Sequence, residues 1–392
     1  MLTGQLQFLA NTFTNTQTLI IEASSLSIEE LFNIFSNKFP FLENIELQHK
    51  EFVDEFSPKF YTINSLNLHL VNEYHTVLKK LALFKLKIDD AVVSKLLVSS
   101  INLETLYVDE CVNMNGLFLK DVGNKVNTIY WNRNVHGVDR PLEAKLSLAE
   151  KGGNLVDFTY IGNSINDDLP VQLLIAEEMH SLKYLTVAVN ELSNFHLWSL
   201  ENLCELTIMA QAVKSTLKVE HECTAVKKVR AMFPKILEYQ FELFIKNFPS
   251  LESFHFETME THFSDGIIAA LQTFTGNLKT LKLTDHNCSR AKYCRSGLLP
   301  DISDTDVDKN QFEMMFGDNK LLKLIEKLNF VLEVDIALFG GNDDDFVKCI
   351  FRRLHTFANR QSDRKFVLRF PKTTWYKEDE DIRSNFSVFI TE

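Results

Sequence analysis

Residues 103–131 read LETLYVDECVNMNGLFLKDVGNKVNTIYW, and this stretch decides the fold. It opens Leu103-x-x-Leu106-x-Val108 and closes Val126-x-x-Ile129-x-Trp131, so one apolar figure returns after 23 residues. Inside each figure the apolar positions alternate with period 2, the mark of a short strand with one buried face. With Ile, Val, Phe and aromatic residues allowed for Leu, the figure recurs. Clear copies are LENIEL from Leu42, INSLNL from Ile63, LKKLAL from Leu78, LVDFTY from Leu155 and LKYLTV from Leu182. LCELTI from Leu203, LESFHF from Leu251 and LKTLKL from Leu278 continue the series. Weaker copies are TQTLII from Thr16, VKKVRA from Val226 and IEKLNF from Ile325. Ten of the twelve start-to-start intervals lie between 21 and 29 residues.

Between the strands the spacing turns helical. SIEELFNIFSNKF, from Ser27, carries Glu30 three residues after the serine, a capping-box arrangement, and Ile28, Leu31, Phe32 and Phe35 make one apolar stripe. DDAVVSKLLVSSI, DDLPVQLLIAEEM and SDGIIAALQTF repeat the device: an acidic start, then apolar residues at helical intervals. The unit is therefore strand, turn, helix. One unit cannot cover its own apolar face, whereas stacked units share a continuous core. A doubly wound α/β sheet also alternates strands and helices. Its strands would be longer apolar runs, and no Gly-rich phosphate loop follows any strand here.

The spacing and the figure resemble leucine-rich repeats. Leu103-x-x-Leu106-x-Val108-x-x-Cys111-x-x-Met114-Asn115 is similar to the cysteine-containing subclass found in F-box/leucine-rich-repeat proteins, the substrate receptors of cullin-type ubiquitin ligases. The resemblance implies an α/β solenoid, a horseshoe with a parallel concave sheet and convex helices. It also implies a non-enzymatic scaffold that recognises a protein for ubiquitin ligation. The F-box itself, about forty residues opening on a Leu-Pro pair, is not found ahead of the repeats. The expected organisation is one repeat domain over 1–392. Residues 1–15 form an N-terminal cap, 16–284 regular repeats, 285–320 an insertion loop, 321–370 the last repeats and 371–392 a cap and tail, with Pro371 stopping an edge strand. The alternative reading is a repeat-only inhibitor or regulatory binder with no ubiquitin link.

Composition narrows the function classes. The 392 residues are 45% apolar and 24% charged, with only 13 Gly and 8 Pro, so neither disorder nor a turn-rich all-β fold is expected. A net charge of −12 disfavours nucleic acid as a partner. A phosphate-binding role would need the basic residues around 290–295 and 352–369 to meet on one surface. The start MLTGQLQFLANTFTN has no basic region and no long apolar run, so it is not expected to be a signal peptide. No membrane span is expected. The six cysteines, none in C-x-x-C, read as reduced thiols of a cytoplasmic or nuclear protein.

Catalytic and metal motifs are weak. Asp304, Asp306 and Asp308 alternate as in a calcium loop, but Lys309 and Met315 stand where glycine and glutamate belong. Cys288 and Cys294 with His286 have no second ligand pair; Arg290, Lys292 and Arg295 make them candidate reactive thiols. The expectation is no enzyme, no metal and no cofactor. NDDDF at 342–346 reads as a helix N-terminus.

Binding is expected instead on the sheet. In each figure the leucines point inward and the residues between them face out. That alternation selects Tyr107, Asp109, Tyr130, Asn132, Asp157, Thr159, Tyr184, Thr186, Glu205, Thr207, His255, Glu257 and Lys282, with Thr284, Lys80, Phe84 and His69 beside them. The tyrosines stand out, because a tyrosine buries a large ring while its hydroxyl stays paired.

Overall fold

The structure is a computed structural model. It describes residues 8, 11–23, 39–49, 77–132, 154–162, 165–192, 200–213, 222–233, 236–258, 265–273, 277–286, 324–325, 327–328, 331–338, 344–371 and 386–391. The chain divides into two compact units, Met1–Asn190 with Phe195–Leu203, and Glu191–Asn194 with Cys204–Glu392.

Unit 1 holds β1 (Thr18–Ala23), β2 (Asn44–His49), β3 (Lys80–Phe84), β4 (Thr105–Asp109), β5 (Thr128–Asn132), β6 (Asp157–Ile161) and most of β7 (Tyr184–Leu192). Unit 2 holds β8 (Glu205–Val213), β9 (Lys228–Met232), β10 (Ser253–Thr258), β11 (Thr280–Asp285), β12 (Glu333–Leu338), β13 (Lys365–Pro371) and β14 (Phe386–Thr391). In each unit the strands are parallel and follow chain order. The described helices are α1 (Asp90–Ser99), α2 (Ile165–Glu178), α3 (Glu238–Lys246), α4 (Asp265–Leu271) and α5 (Asp344–Arg360). The class is α/β with a parallel sheet built from repeated units.

Registration puts like on like. Leu81, Leu106, Ile129, Phe158 and Leu185 share one inward row across β3–β7, and Leu83, Val108, Trp131, Tyr160 and Val187 share the next. All ten are at most 2% exposed, which at about 2 kcal/mol for a fully buried apolar side chain makes these rows the main stabilising element. Phe118 meets Trp131 edge-on at 5.3 Å, and Trp131 meets Tyr160 at the same distance. Unit 2 fills its interior with phenylalanines: Phe233, Phe241, Phe244, Phe248, Phe254 and Phe256 are buried and pack in a chain of ring contacts.

A backbone device repeats from unit to unit. The carbonyl just after the first apolar residue of a figure accepts two consecutive N–H groups from the next strand. Lys79 O takes Glu104 N (2.8 Å) and Thr105 N (2.9 Å); Glu104 O then takes Asn127 N (2.9 Å) and Thr128 N (3.2 Å). The same pair of bonds recurs on Gln17, Glu43, Asn127, Val156, Cys204, Lys227, Glu252 and Lys279. Both lone pairs of that carbonyl are thereby used, and the donating strand is pinned to the one before it.

Side chains add cross-links. Asp89 caps α1 by accepting from Val92 N at 3.0 Å. The next residue, Asp90, is 8% exposed and reaches the following unit, where it accepts from Asn115 N (2.6 Å), Gly116 N (2.9 Å) and Phe118 N (3.2 Å). Gly116 has φ 91°, a left-handed conformation that glycine adopts without strain, and it delivers the chain into the 3-10 turn Leu117–Asp121. Arg364, only 3% exposed, donates to Val331 O (2.7 Å) and Leu328 O (3.2 Å).

Eleven of the thirteen figures coincide with strands β1–β11, and the helices expected from Asp89, Asp167 and Ser264 are α1, α2 and α4. NDDDF leads into α5. IEKLNF is a correction: Ile325 and Lys327 lie in helix, and the strand is β12, whose figure is Val331-x-x-Val334-x-Ile336. Leu332 N and Glu333 N donate to Lys279 O, which fixes that register. Helix and strand compete for any Ile-x-x-Leu run, and here i, i+3 spacing won. INSLNL, His69, the helix from Ser27, Cys288, Cys294 and residues 287–323 lie outside the described residues. β2 pairs directly with β3. The stretch read as cap and tail contains β14. Pro371 does end β13, but β13 is not an edge strand, because β12 and β14 flank it.

Candidate protein-binding face

The outward rows of unit 1 run Lys80, Thr105, Thr128, Asp157, Tyr184; then Ala82, Tyr107, Tyr130, Thr159, Thr186; then Phe84, Asp109, Asn132, Ile161, Ala188. Tyr107, Asp109, Tyr130, Asn132, Asp157, Thr159 and Thr186 are all partly exposed, and Tyr184 is exposed. Strand alternation therefore placed these eight on the solvent side. Tyr107 and Tyr130 are register partners and stack, with centroids 5.4 Å apart and planes at 25°. Tyr184 stands in the first row, two strands away from Tyr130, and does not join them.

The pair is held from both ends. Lys80 Nζ lies 5.1 Å from the Tyr107 ring centroid, a cation–π contact. On the other side, Asn132 Nδ2 donates to Asp109 Oδ1 at 2.7 Å next to Tyr130. Burial, and then the Asp109 charge, push the Tyr130 phenol upward, so it stays neutral. Burial also raises the Asp157 carboxyl, and among the described residues no cation pairs with it.

Unit 2 carries Glu205, Thr207, His255, Glu257, Lys282 and Thr284 on its outward rows, in register with Lys228, Arg230, Asp335 and Arg369 of neighbouring strands. Glu257 is nearly buried and is the centre of a network. Arg230 donates to its Oε1 from Nη2 (2.7 Å) and Nε (3.0 Å). His255 Nε2 lies 3.2 Å from the same oxygen and 3.2 Å from Thr284 Oγ1, and His286 Nε2 lies 3.5 Å from Oε2. Burial pushes His255 down to about 4, with Lys282 and Arg230 adding to that and Glu257 opposing it, so the ring is neutral near neutral pH. Burial alone would raise Glu257; the Arg230 hydrogen bond and the surrounding charges hold it below the usual range.

Arg230 and Asp335 escaped the reading of the sequence, which placed His286 only beside Cys288 and Cys294 and Arg369 only in the basic stretch 352–369. Arg230 sits in VKKVRA, whose figure is weak, and Asp335 was hidden by the misplaced register at Ile325. Much of the basic run 352–369 is used internally. Arg364 is buried, Lys365 pairs with Glu333 (3.1 Å), and Arg369 pairs with Asp335 (3.2 Å) while lying 4.4 Å from the Phe389 ring. Cys111 is buried, its thiol donating to Leu83 O at 3.5 Å, and burial pushes it up to about 12. Among the described residues no group of three or more His, Cys, Asp or Glu is placed to hold a metal ion, and no helix is long and apolar enough to cross a membrane.

No protein-family model matches this chain, and no curated protein matches it significantly.

Proposed function

We propose that the chain is a leucine-rich-repeat protein of the horseshoe type and a non-enzymatic binding scaffold whose partner is a protein docked on the outward face of the sheet. The observation that carries this is the Tyr107–Tyr130 pair. Two large rings stand on a rigid strand row, locked by Lys80, Asp109 and Asn132, so little conformational entropy is lost when a partner covers them. The finer reading is substrate recognition for a cullin-type ubiquitin ligase. It is supported by Cys111 at the subclass position, buried in the turn after β4. The test is affinity purification of the full chain from its native cells with mass spectrometry, beside Tyr130→Ala. Cullin and adaptor components, lost or kept apart from the Tyr130-dependent partner, support the receptor reading. A single stoichiometric protein without them supports the inhibitor or regulatory reading. A partner set unchanged by Tyr130→Ala rejects this face.

A further inference from the structure

The charges on the two sheet faces differ in a way that specifies the partner's chemistry; this inference rests on the face reading above. On the outward positions of unit 2, Lys228 pairs with Glu205 (2.6 Å), Arg230 with Glu257 (2.7 Å), Lys365 with Glu333 (3.1 Å), and Lys282 and Arg369 with Asp335 (4.0 and 3.2 Å). That face neutralises itself. The outward positions of β1–β7 carry Glu22, Glu46, Asp109 and Asp157 against Lys80. Lys80 lies over Tyr107. Asp109 is hydrogen-bonded by Asn132. Glu46 and Asp157 have no hydrogen-bond or ion-pair partner among the described residues, although Asp157 is half-buried. A carboxylate partly withdrawn from water without a counter-charge costs stability in the isolated protein and is favourable once a cation arrives.

Geometry says where the cation sits. Tyr107 has Lys80 beside it and Tyr130 stacked on it. Tyr130 presents its other side toward β6, where its register partner is the small Thr159, and Asp157 lies two residues before Thr159 on the same face. Across β3–β6 the outward positions therefore offer a cation in the first row (Lys80), two stacked rings in the second (Tyr107, Tyr130) with the small Thr159 next to them, and a carboxylate back in the first row (Asp157). We propose that this face recognises a basic peptide segment of the partner, one arginine of which stacks on Tyr130 over Thr159 and pairs with Asp157. A guanidinium fits both demands, because it is planar enough to stack and forked enough to grip a carboxylate with two N–H groups. Lysine supplies charge without the plane.

The experiment uses the full chain and fluorescein-labelled dodecapeptide pools, each with one residue type fixed at a central position, read by anisotropy. Arg-fixed pools bind most tightly, Lys-fixed pools less, and Glu- and Leu-fixed pools least. Tyr130→Ala and Asp157→Asn each weaken the Arg-pool affinity roughly tenfold, the scale of a desolvated cation–π or ion-pair contact. Thr159→Trp, which adds bulk beside Tyr130 without changing charge, blocks binding to a similar degree, and urea unfolding verifies that each variant is folded. Equal binding of Glu- or Leu-fixed pools, no binding by any pool, or wild-type affinity in the folded variants overturns the basic-segment proposal. A native partner that is lost with Tyr130→Ala but shows no arginine dependence keeps the face and rejects only its stated occupant.

Discussion

Replacing Asp90 with alanine should loosen unit 1 from one atom group. The carboxylate is 8% exposed and accepts three backbone N–H groups, those of Asn115, Gly116 and Phe118. A hydrogen bond to a charged group contributes about 1.5 kcal/mol at the low end, so three give about 4.5 kcal/mol. The Asn115 bond is only part-buried and water replaces some of it, which brings the loss to about 3 kcal/mol. For a unit of this size that lowers the midpoint by roughly 6–12 °C. Calorimetry measures the shift, and hydrogen exchange with mass spectrometry locates it. Amides 115–118 should lose protection first, while unit 2 keeps its own. Asp90→Asn, with one acceptor oxygen left, should fall between. An unchanged transition together with unchanged exchange at 115–118 would refute the claim that this side chain holds one repeat to the next.

Leu106→Asp buries an unpaired charge at a fully buried position and should destabilise unit 1 by more than about 4 kcal/mol, whereas Tyr130→Ala should cost no more than about 2 kcal/mol in urea unfolding. A parent-like Leu106→Asp would mean that the strand register is wrong. The His255 pKa is depressed when folded, so the unfolded chain binds its proton more readily; stability should fall as the pH drops from 6.5 toward 4, and His255→Gln should flatten that part of the profile. A profile unaffected by this substitution excludes His255 as its source. Cys111, pushed up to about 12, should resist iodoacetamide at pH 8 in the native protein and react on unfolding, as peptide mapping would show. Glu252, held down to about 2 by Lys227 and Lys279, contributes stability above its ordinary range that disappears as the pH falls from 4.5 toward 2. The urea-midpoint gap between parent and Glu252→Gln should therefore close on acidification, and a widening gap would reverse the assignment.

The strands were legible because each figure states its own inward and outward positions. Leu106, Val108, Ile129 and Trp131 are buried, and Tyr107 and Tyr130 between them are not, as period 2 requires. The helices after Asp89, Asp167 and Ser264 were legible from acidic starts and apolar spacing. IEKLNF failed because a six-residue run does not distinguish i, i+3 helix contacts from a strand figure; the backbone bonds onto Lys79, Glu104 and Lys279 do, and those are formed between units.

By itself, then, the sequence determined which residues form strands, which face of each strand is apolar, and that the strands repeat. Those properties are local, written in the alternation of neighbouring side chains. Tertiary structure alone decided which units are neighbours and what their outward side chains meet. It put Tyr107 on Tyr130 but left Tyr184 apart. It set Arg230 against Glu257 across 27 residues and gave Asp90 three amides of the following repeat. It also left Asp157 without a cation among the described residues. Pairing across a parallel sheet depends on register between segments far apart in the chain, and no spacing within one segment encodes it.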